Sequence, residues 1–132
     1  MTKILILGVT GLLGSTLAKY LSTKKNIKCY GIIRKISDKN KLNHIKNCEL
    51  IHSKVFNKKA LLQILSKKKP KFIINCCGIV KQVIKKKSNQ EIKKVNTYLP
   101  KYLSNLIHKK KKRYLLFILL AIVYLMVKKE II

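Results

Sequence analysis

The sequence predicts an α/β fold built on a doubly wound parallel sheet, of which the chain holds only the N-terminal portion. Two observations support this prediction. Short apolar segments, of the kind that form strands buried on both faces, alternate with segments whose apolar residues recur at helical spacing. A glycine-rich turn, Gly8–Gly14, joins the first such strand to the first helix. Strands that alternate with helices in this way are typical of parallel β-α-β units.

The beginning of the chain predicts one such unit. Lys3–Leu7 is almost wholly apolar and indicates a buried strand that ends at Gly8. Helical spacing of apolar residues begins at Leu12, and a second strand is predicted at Lys28–Ile33. The next stretch, Ser37–Asn47, is polar, and we expect it to be flexible.

The following segment predicts two more strands and two more helices. Leu50–Val55 can hold a short third strand, and Phe72–Cys77 a fourth. Between them, the apolar residues of Leu61–Leu65 indicate a helix that closes at a lysine run before Pro70. A long amphipathic helix follows, with Pro100 as a local defect. Its apolar residues are Ile92, Val95, Tyr98, Leu99, Tyr102, Leu103, Leu106 and Ile107.

These elements are expected to form one sheet. Strands near residues 3–8, 28–33 and 71–76 should lie parallel, with helices near residues 12–23 and 89–108 packed on them. An uncovered parallel edge leaves backbone groups unpaired, so we expect a fifth strand at about residues 114–120. The alternative is a continuous helix from Tyr114 through Val127, because propensity does not decide between the two states.

The glycine-rich turn has the composition of a phosphate-binding loop. A sharply bent backbone approaches a pyrophosphate most closely where no Cβ intervenes, and the last glycine lets the helix pack against the sheet. The helix N-terminus then faces the phosphates with free N–H groups. A strand before the loop and a helix after it give the context of a Rossmann-like dinucleotide site. The loop residues predicted to bind the dinucleotide are Gly8, Thr10, Gly11, Leu12, Leu13 and Gly14.

The spacing G-x-x-G-x-x-G resembles the extended short-chain dehydrogenase/reductase family, which includes sugar-nucleotide epimerases, dehydratases and dTDP-4-dehydrorhamnose reductases. Asn75-Cys76-Cys77-Gly78 resembles the family's loop beneath the cofactor, and Val95-Asn96-Thr97 resembles its helix with a structurally important Asn. The segment Pro70–Gln82 looks most like the dTDP-4-dehydrorhamnose reductase branch. The resemblance extends from residue 3 to about residue 109, and it implies that Cys77 and Gly78 line the cofactor.

The end of the second strand indicates which dinucleotide is bound. In this fold an acid there binds the ribose hydroxyls of NAD, whereas an Arg accommodates the 2′-phosphate of NADP. The chain has Arg34 and Lys35 at this place, about twenty residues beyond the loop. We therefore predict NADP, with NAD as the alternative if Arg34 is one more surface cation. Lys54-Val55 departs from the family, whose members often have an Asp beside the adenine.

The charge balance is extreme, with 31 Lys and Arg residues against four acids and a net charge of +27. Such a charge favours an acidic partner, either nucleic acid or an anionic membrane. However, nearly all the bases are Lys, and Lys, Ile and Asn are encoded by A/T-rich codons, so codon bias accounts for them. The lysines also lack interleaved aromatic residues that would stack on bases. We therefore expect a solvated basic surface and no specific nucleic-acid partner.

The chain has four cysteines and three histidines. No C-x-x-C pair occurs and the histidines are not spaced as metal ligands, so we expect reduced thiols and no metal site. The adjacent Cys76 and Cys77 are expected to be buried as small hydrophobic residues. The short apolar run at the N-terminus leads into the glycine loop and does not resemble a secretory signal. These features predict a cytoplasmic protein, with a membrane-associated protein as the alternative.

The last segment, residues 113–132, is predicted to lie outside an incomplete NAD(P)-binding domain of residues 1–112. Its residues 114–127 are uncharged and mostly aliphatic, between two basic runs. A membrane-spanning helix needs about 20 apolar residues, so this run is short for one, although attachment to a membrane stays open.

The genetic code offers a different account of this tail. When each codon is read from the third base of the codon before it, Met126-Val127 gives a glycine codon. In that frame, residues 117–119 can encode IHI and residues 121–132 can encode SDCVFNGKKGNY, which resemble the family's fifth strand and catalytic loop. The run Lys109–Lys112 implies an adenine-rich tract, which is a natural site of slippage. We therefore predict that residues 113–132 are a frameshift product.

The family resemblance implies hydride transfer by a Ser or Thr after the fifth strand and a Tyr-x-x-x-Lys further on. Tyr124 and Lys128 have this spacing but fall too early, within the apolar tail, so we assign no catalytic residue. The predicted function is an NADP-binding fragment of a dTDP-4-dehydrorhamnose reductase-like oxidoreductase, whose intact relative would act on a nucleotide sugar. The alternative is a small basic protein that binds membrane or nucleic acid.

Overall fold

The computed structural model describes residues 1–54, 57–79, 86–109 and 115–118 of the chain. The strands are β1 (Thr2–Leu7), β2 (Ile27–Ile33), β3 (Cys48–His52), β4 (Phe72–Asn75) and β5 (Leu115–Ile118). The helices are α1 (Leu12–Ser22), α2 (Asp38–Lys41), α3 (Lys58–Lys68), α4 (Asn89–Lys93) and α5 (Leu99–Lys109). A π-helical segment, Lys94–Tyr98, joins α4 to α5.

The strands of the described residues form one parallel sheet in the order β3-β2-β1-β4-β5. The chain moves outward from β1 to β3 and then crosses to the other side of β1 to form β4. In the pairing of β1, Ile4 lies between Cys29 of β2 and Phe72 of β4. This is the strand order of a doubly wound α/β fold, so the predicted fold class and the parallel arrangement of its strands are confirmed.

Alternate side chains of β1 enter two separate cores on opposite faces of the sheet. The core beneath α3 and α5 comprises Leu5, Leu7, Tyr30, Ile32, Leu61, Leu65, Ile73, Leu99, Leu103 and Leu106. The core beneath α1 comprises Ile4, Ile6, Val9, Ala18, Cys29, Ile33, Leu42, Ile45 and Cys48. Because both faces of the central strand are covered, its sequence is apolar without alternation, as the pattern predicts.

Two segments differ from the sequence-based expectation. The third strand begins at Cys48 and ends at His52, earlier than the predicted Leu50–Val55, and Val55 lies outside the described residues. The polar stretch Ser37–Asn47 contains α2, and Leu42 and Ile45 behind it are buried in the core beneath α1. Two apolar residues in a polar run are too few to produce a detectable period, which is why this contribution to the core is not predicted.

The long helix is interrupted immediately before Pro100. Proline has no N–H to donate to the preceding turn, and its ring crowds the backbone there. The π-helical segment Lys94–Tyr98 widens the helix at this point, which accommodates the defect. The wider turn also shifts the apolar face, so that Leu99 is buried whereas Tyr98, predicted to lie on that face, is 58% exposed.

β5 confirms the strand predicted at about residues 114–120. It lies parallel to β4, with Leu115 opposite Phe72 and Ile118 opposite Asn75. The alternative of a continuous helix is therefore wrong for residues 115–118, and the remainder of that run lies outside the described residues. None of the helices in the described ranges is long and apolar enough to cross a membrane.

Candidate functional site

A cavity of about 420 Å³ opens at the carboxyl ends of β1, β2 and β4. It lies where the strand order reverses around β1, which is the place where doubly wound sheets bind their ligands. Its walls come from the loops after three strands and from the approach to α5. The lining residues are Gly8, Thr10, Gly11, Ile32, Arg34, Cys76, Cys77, Gly78, Ile79, Lys87, Glu91, Lys94 and Val95.

Gly8 and Gly14 hold the loop after β1 in a shape that side chains would prevent. Gly8 has a φ of +76°, and a Cβ there would lie 2.9 Å from the carbonyl carbon of Cys76. A Cβ on Gly14 would lie 2.1 Å from the carbonyl oxygen of Gly8. The first approach brings the loop against the loop after β4, and the second packs α1 against the end of β1. Both contacts are with backbone, so neither can be relieved by a change of rotamer.

Gly11, which precedes α1, has much more open surroundings. Within the described part of the chain, a Cβ on Gly11 would approach only the Gly8 carbonyl oxygen, at 3.4 Å. Gly11 is the N-cap of α1, and no described side chain accepts a hydrogen bond from the helix there. The N–H groups of the first turn are therefore left beside the cavity that Gly8, Thr10 and Gly11 line. Such a helix N-terminus favours an anionic ligand.

The cavity brings together a large part of the predicted site. The predicted residues that line it are Gly8, Thr10, Gly11, Arg34, Cys77 and Gly78. Leu12, Leu13, Gly14 and Lys35 do not line it. The side chain of Leu12 is 88% exposed, so Leu12 could contribute to a site there only through its backbone. The backbone N–H of Lys35 donates to Asp38 Oδ2 at 3.3 Å.

Arg34 faces the cavity from the end of β2, two residues after Ile32, which lines the same wall. This spacing is that of residues on one face of a strand. The backbone there is fixed by His52, whose Nε2, when protonated, donates to the Arg34 carbonyl oxygen at 3.0 Å. The nearest acid in sequence, Asp38, is held within its own segment by Lys41 at 3.3 Å. A guanidinium rather than a carboxylate therefore faces the cavity from this strand.

The loop after β4 contributes two thiols and a turn fixed by Asn75. Asn75 Oδ1 accepts from the Cys77 N–H at 3.1 Å. Burial raises the pKa of Cys76 to about 11 and that of Cys77 to about 12, with Cys76 adding to the second shift and Arg34 opposing it. Both thiols therefore stay neutral at pH 7. They are half-buried rather than buried, which corrects the expectation, because the cavity exposes one side of the loop.

The wall opposite the glycine loop comes from residues that sequence reasoning did not assign to the site: Lys87, Glu91, Lys94 and Val95. Asn96 attaches this wall to the loop after β4. Its Oδ1 accepts from the Ile79 N–H at 2.8 Å, and its Nδ2 donates to the Ile79 carbonyl oxygen at 3.1 Å. This double contact accounts for the structural importance that the family resemblance implies for an Asn at this place.

Glu91 places a carboxylate at the cavity wall, but hydrogen bonds to its own helix end already occupy that carboxylate. The Ser88 N–H, which donates to Oε2 at 3.0 Å, lowers the pKa of Glu91, and the charge of Lys87 lowers it further. Glu91 therefore stays ionised near neutral pH. Across the described ranges, no group of three or more His, Cys, Asp or Glu residues could hold a metal ion.

Solved structures share this fold. A dTDP-glucose 4,6-dehydratase from Bacillus anthracis, in complex with NAD, has 14% identity and a TM-score of 0.66 over 89% of this chain and 36% of that chain. A UDP-glucose 4-epimerase from Stenotrophomonas maltophila, with bound NAD and formylated UDP-arabinopyranose, has 10% identity and a TM-score of 0.69, covering 89% and 36%. A short chain dehydrogenase/reductase from Saccharomyces cerevisiae has 17% identity and a TM-score of 0.68, covering 89% and 53%.

The chain thus spans 36% to 53% of the length of these structures. A comparison with curated protein sequences gives no match. The model of the NAD dependent epimerase/dehydratase family matches residues 4–126, which include the glycine loop, the loop after β4 and Arg34. The chain belongs to the NAD-dependent epimerase/dehydratase family.

Proposed function

We propose that this chain binds a nicotinamide dinucleotide in the cavity beside the glycine loop, and that it prefers NADP to NAD. The observation that carries the proposal is the uncapped N-terminus of α1, which opens beside that cavity at Gly11. The first-turn N–H groups, including those of Leu12 and Leu13, would donate to the pyrophosphate. When bound, the dinucleotide supplies the hydride donor or acceptor for oxidoreduction of a nucleotide sugar.

The preference for NADP rests on Arg34. Its guanidinium faces the cavity, and a guanidinium binds a phosphate with charge-assisted, often bidentate, hydrogen bonds. The carboxylate that could instead bind the ribose hydroxyls of NAD is not offered by Asp38, which interacts with Lys35 and Lys41. Cys77 and Gly78 would lie beneath the dinucleotide on the opposite wall.

We further propose that the intact relative is a nucleotide-sugar oxidoreductase of the dTDP-4-dehydrorhamnose reductase type, which the resemblance of Pro70–Gln82 supports. Without a Tyr-x-x-x-Lys in the family's setting, we expect this chain alone to bind cofactor without turnover. Resequencing the gene across the codons of Lys109–Lys112 tests the proposed frameshift. The corrected frame should encode IHI at residues 117–119 and SDCVFNGKKGNY at residues 121–132, whereas an unchanged reading would remove that account of residues 113–132.

The binding proposal is tested by calorimetry at low salt with NADP, NAD and inorganic tripolyphosphate. Arg34→Ala and Lys35→Ala are matched variants, because they remove one positive charge from neighbouring residues and reduce general attraction of anions equally. We expect Arg34→Ala to weaken NADP binding by about tenfold and NAD binding little, since a hydrogen bond to a charged group contributes about 1.5 kcal/mol. Lys35→Ala should leave the preference in place. Equal dissociation constants of the wild type for the two dinucleotides, or equal losses in the two variants, would contradict the proposal.

A further inference from the structure

A pair of cysteines lies away from the dinucleotide cavity, toward the amino ends of the strands. Cys29 of β2 and Cys48 of β3 are directly paired residues of neighbouring parallel strands. Both are free thiols, 0% and 8% exposed, in the core beneath α1. Paired residues project from the same face of a sheet, so the two sulfur atoms are neighbours.

Cys48 also lines a second cavity, of about 350 Å³, at the end of the sheet opposite the glycine loop. The charged residues that line this cavity with it are Lys24, Lys25, Lys28, Lys46 and Glu49. The cavity gives a small oxidant a route to Cys48, while Cys29 behind it is fully buried. Positive surroundings of this kind favour the thiolate, which is the reactive form of cysteine.

The two thiols differ in acidity in the way that an attacking and a resolving cysteine require. Hydrogen bonding from Cys29 lowers the pKa of Cys48; burial and the charge of Glu49 oppose this shift, and the charge of Lys28 supports it. The same hydrogen bond, together with burial, raises the pKa of Cys29. Cys48 is therefore the first of the pair to ionise, and Cys29 keeps its proton as the donor. In the loop after β4, by contrast, burial raises the pKa of both Cys76 and Cys77.

We propose that Cys48 and Cys29 form a dithiol that hydrogen peroxide oxidises to a disulfide joining β2 to β3. The Cys48 thiolate attacks one peroxide oxygen, the O–O bond breaks, and the departing hydroxide takes a proton to leave as water. Cys48 is then a sulfenic acid. Cys29 loses its proton as its sulfur attacks the Cys48 sulfur, the S–O bond breaks, and a second water leaves. The two thiols lose two electrons and peroxide gains them.

The spacing of the strands allows this disulfide to form, but only with some strain. Neighbouring strands lie about 4.8 Å apart, within the range of about 4.4–6.8 Å between the Cα atoms of a disulfide. Parallel side chains, however, hold the Cβ atoms at about the strand spacing, which exceeds the usual separation of about 3.5–4.5 Å. The disulfide must therefore form with some strain, and strained disulfides are easily reduced. We expect the bond to be reversible rather than permanent.

The test is a peptide map of the full wild-type chain, which is reduced, treated with hydrogen peroxide, alkylated and digested with trypsin. Trypsin separates Cys29 in residues 29–34 from Cys48 in residues 47–54, and leaves Cys76 and Cys77 together in residues 72–81. We expect a cross-link between the first two peptides as the main product, and its loss with dithiothreitol. Oxidation of Cys76 or Cys77 ahead of Cys48, or a Cys48 oxidised without the cross-link, would overturn the proposal.

Three variants separate the roles of the two residues. Cys29→Ser should stop the reaction at a Cys48 sulfenic acid that dimedone traps, whereas Cys48→Ser should leave Cys29 reduced. Cys76→Ser, the matched control, should form the cross-link at the wild-type rate. Cys48 should react at least about tenfold faster than Cys76, because the thiolate is the nucleophile. Oxidation of Cys29 at the wild-type rate in Cys48→Ser would contradict the assignment. The wild-type peptide map tests for the cross-link even if a variant fails to fold. The proposed disulfide does not depend on dinucleotide binding.

Discussion

The helices α1 and α4 begin beside the same cavity but satisfy their N-terminal backbone groups in opposite ways. At the start of α4, Ser88 Oγ accepts from the Glu91 N–H at 3.2 Å, and the Glu91 carboxylate accepts from the Ser88 N–H at 3.0 Å. This is a complete capping box. At the start of α1, Gly11 offers no side chain, and the first turn contains no acid. One helix end is satisfied by its own sequence, whereas the other has no side-chain acceptor for its first-turn N–H groups among the described residues.

The difference indicates where the sequence favours binding over stability. The helix α3 follows the pattern of α4, because Asn57 Oδ1 caps it by accepting from the Ala60 N–H at 3.0 Å. A polar N-cap stabilises a helix by about 1 kcal/mol relative to Ala, and both α3 and α4 have one. Glycine at the N-cap of α1 gives up a polar cap and keeps the backbone accessible. Departures of this kind from local stability are expected at functional sites.

The largest expected effect is a loss of stability when Gly14, near the start of α1, is substituted. Gly14→Val should lower the free energy of unfolding by about 3 kcal/mol or more, because its Cβ would lie 2.1 Å from the backbone oxygen of Gly8. Gly11→Val is the matched control, since its Cβ would lie 3.4 Å from the same oxygen. We expect this control to stay within about 1 kcal/mol of the wild type in urea unfolding. Equal destabilisation by the two substitutions would show that the glycines do not have different roles.

Gly11→Val should instead change binding. Its methyl groups would project toward the place where the pyrophosphate is proposed to approach the backbone, so we expect at least about a tenfold loss of NADP affinity. Leu12→Ala removes an exposed side chain and keeps the backbone N–H, and it should bind NADP as the wild type does. The measurement is calorimetry on both variants. If Gly11→Val binds normally, the uncapped end of α1 is not the phosphate site.

The parts of the site that could be predicted from sequence are those set by local geometry. Gly8 and Gly14 follow from the strand–turn–helix context, because the turn itself imposes their conformation and close contact. For the neighbours Arg34 and Lys35 the sequence offers two cations, and only the fold shows that Arg34 alone lines the cavity. A glycine inside a buried strand signals a close approach, and this signal could have found Gly31, where a Cβ would lie 2.9 Å from a methyl group of Val9.

The parts that could not be predicted depend on contacts between distant segments. The wall formed by Lys94 and Val95 reaches the cavity because Asn96 binds Ile79, and the sequence alone does not specify that contact. The π-helical segment before Pro100 then sets which side chains of α5 face the core. A prediction from local periodicity assumes a regular helix, and the prediction that Tyr98 lies on the buried face is therefore wrong.

A smaller effect is expected at the capped helix α3. Asn57→Ala should lower the free energy of unfolding by about 1 kcal/mol, because it removes the acceptor of the Ala60 N–H without altering the sheet. Its NADP affinity should equal that of the wild type, since α3 does not line the cavity. Urea unfolding and calorimetry of the same preparation give both quantities. A loss of NADP affinity with the expected loss of stability would mean that capping and binding are not separate in this molecule.

The smallest expected effect is a pH dependence of stability that comes from Glu91 of α4 and has no counterpart in α1. The Ser88 backbone N–H holds the pKa of Glu91 below its ordinary value of 4.5. A carboxyl whose pKa is lower in the folded state stabilises the fold above its unfolded pKa, and that contribution is lost as the pH falls through the folded pKa. The thermal midpoint should therefore decline between about pH 5 and about pH 3, and Glu91→Gln should reduce the slope there. Ser88→Ala should keep most of the slope, because the backbone N–H remains the donor.

The change is small because the Glu91 side chain is exposed, and α1, with no acid in its first turn, cannot supply it. A Glu91→Gln variant with the full wild-type slope would show that the capping box does not contribute to stability in acid.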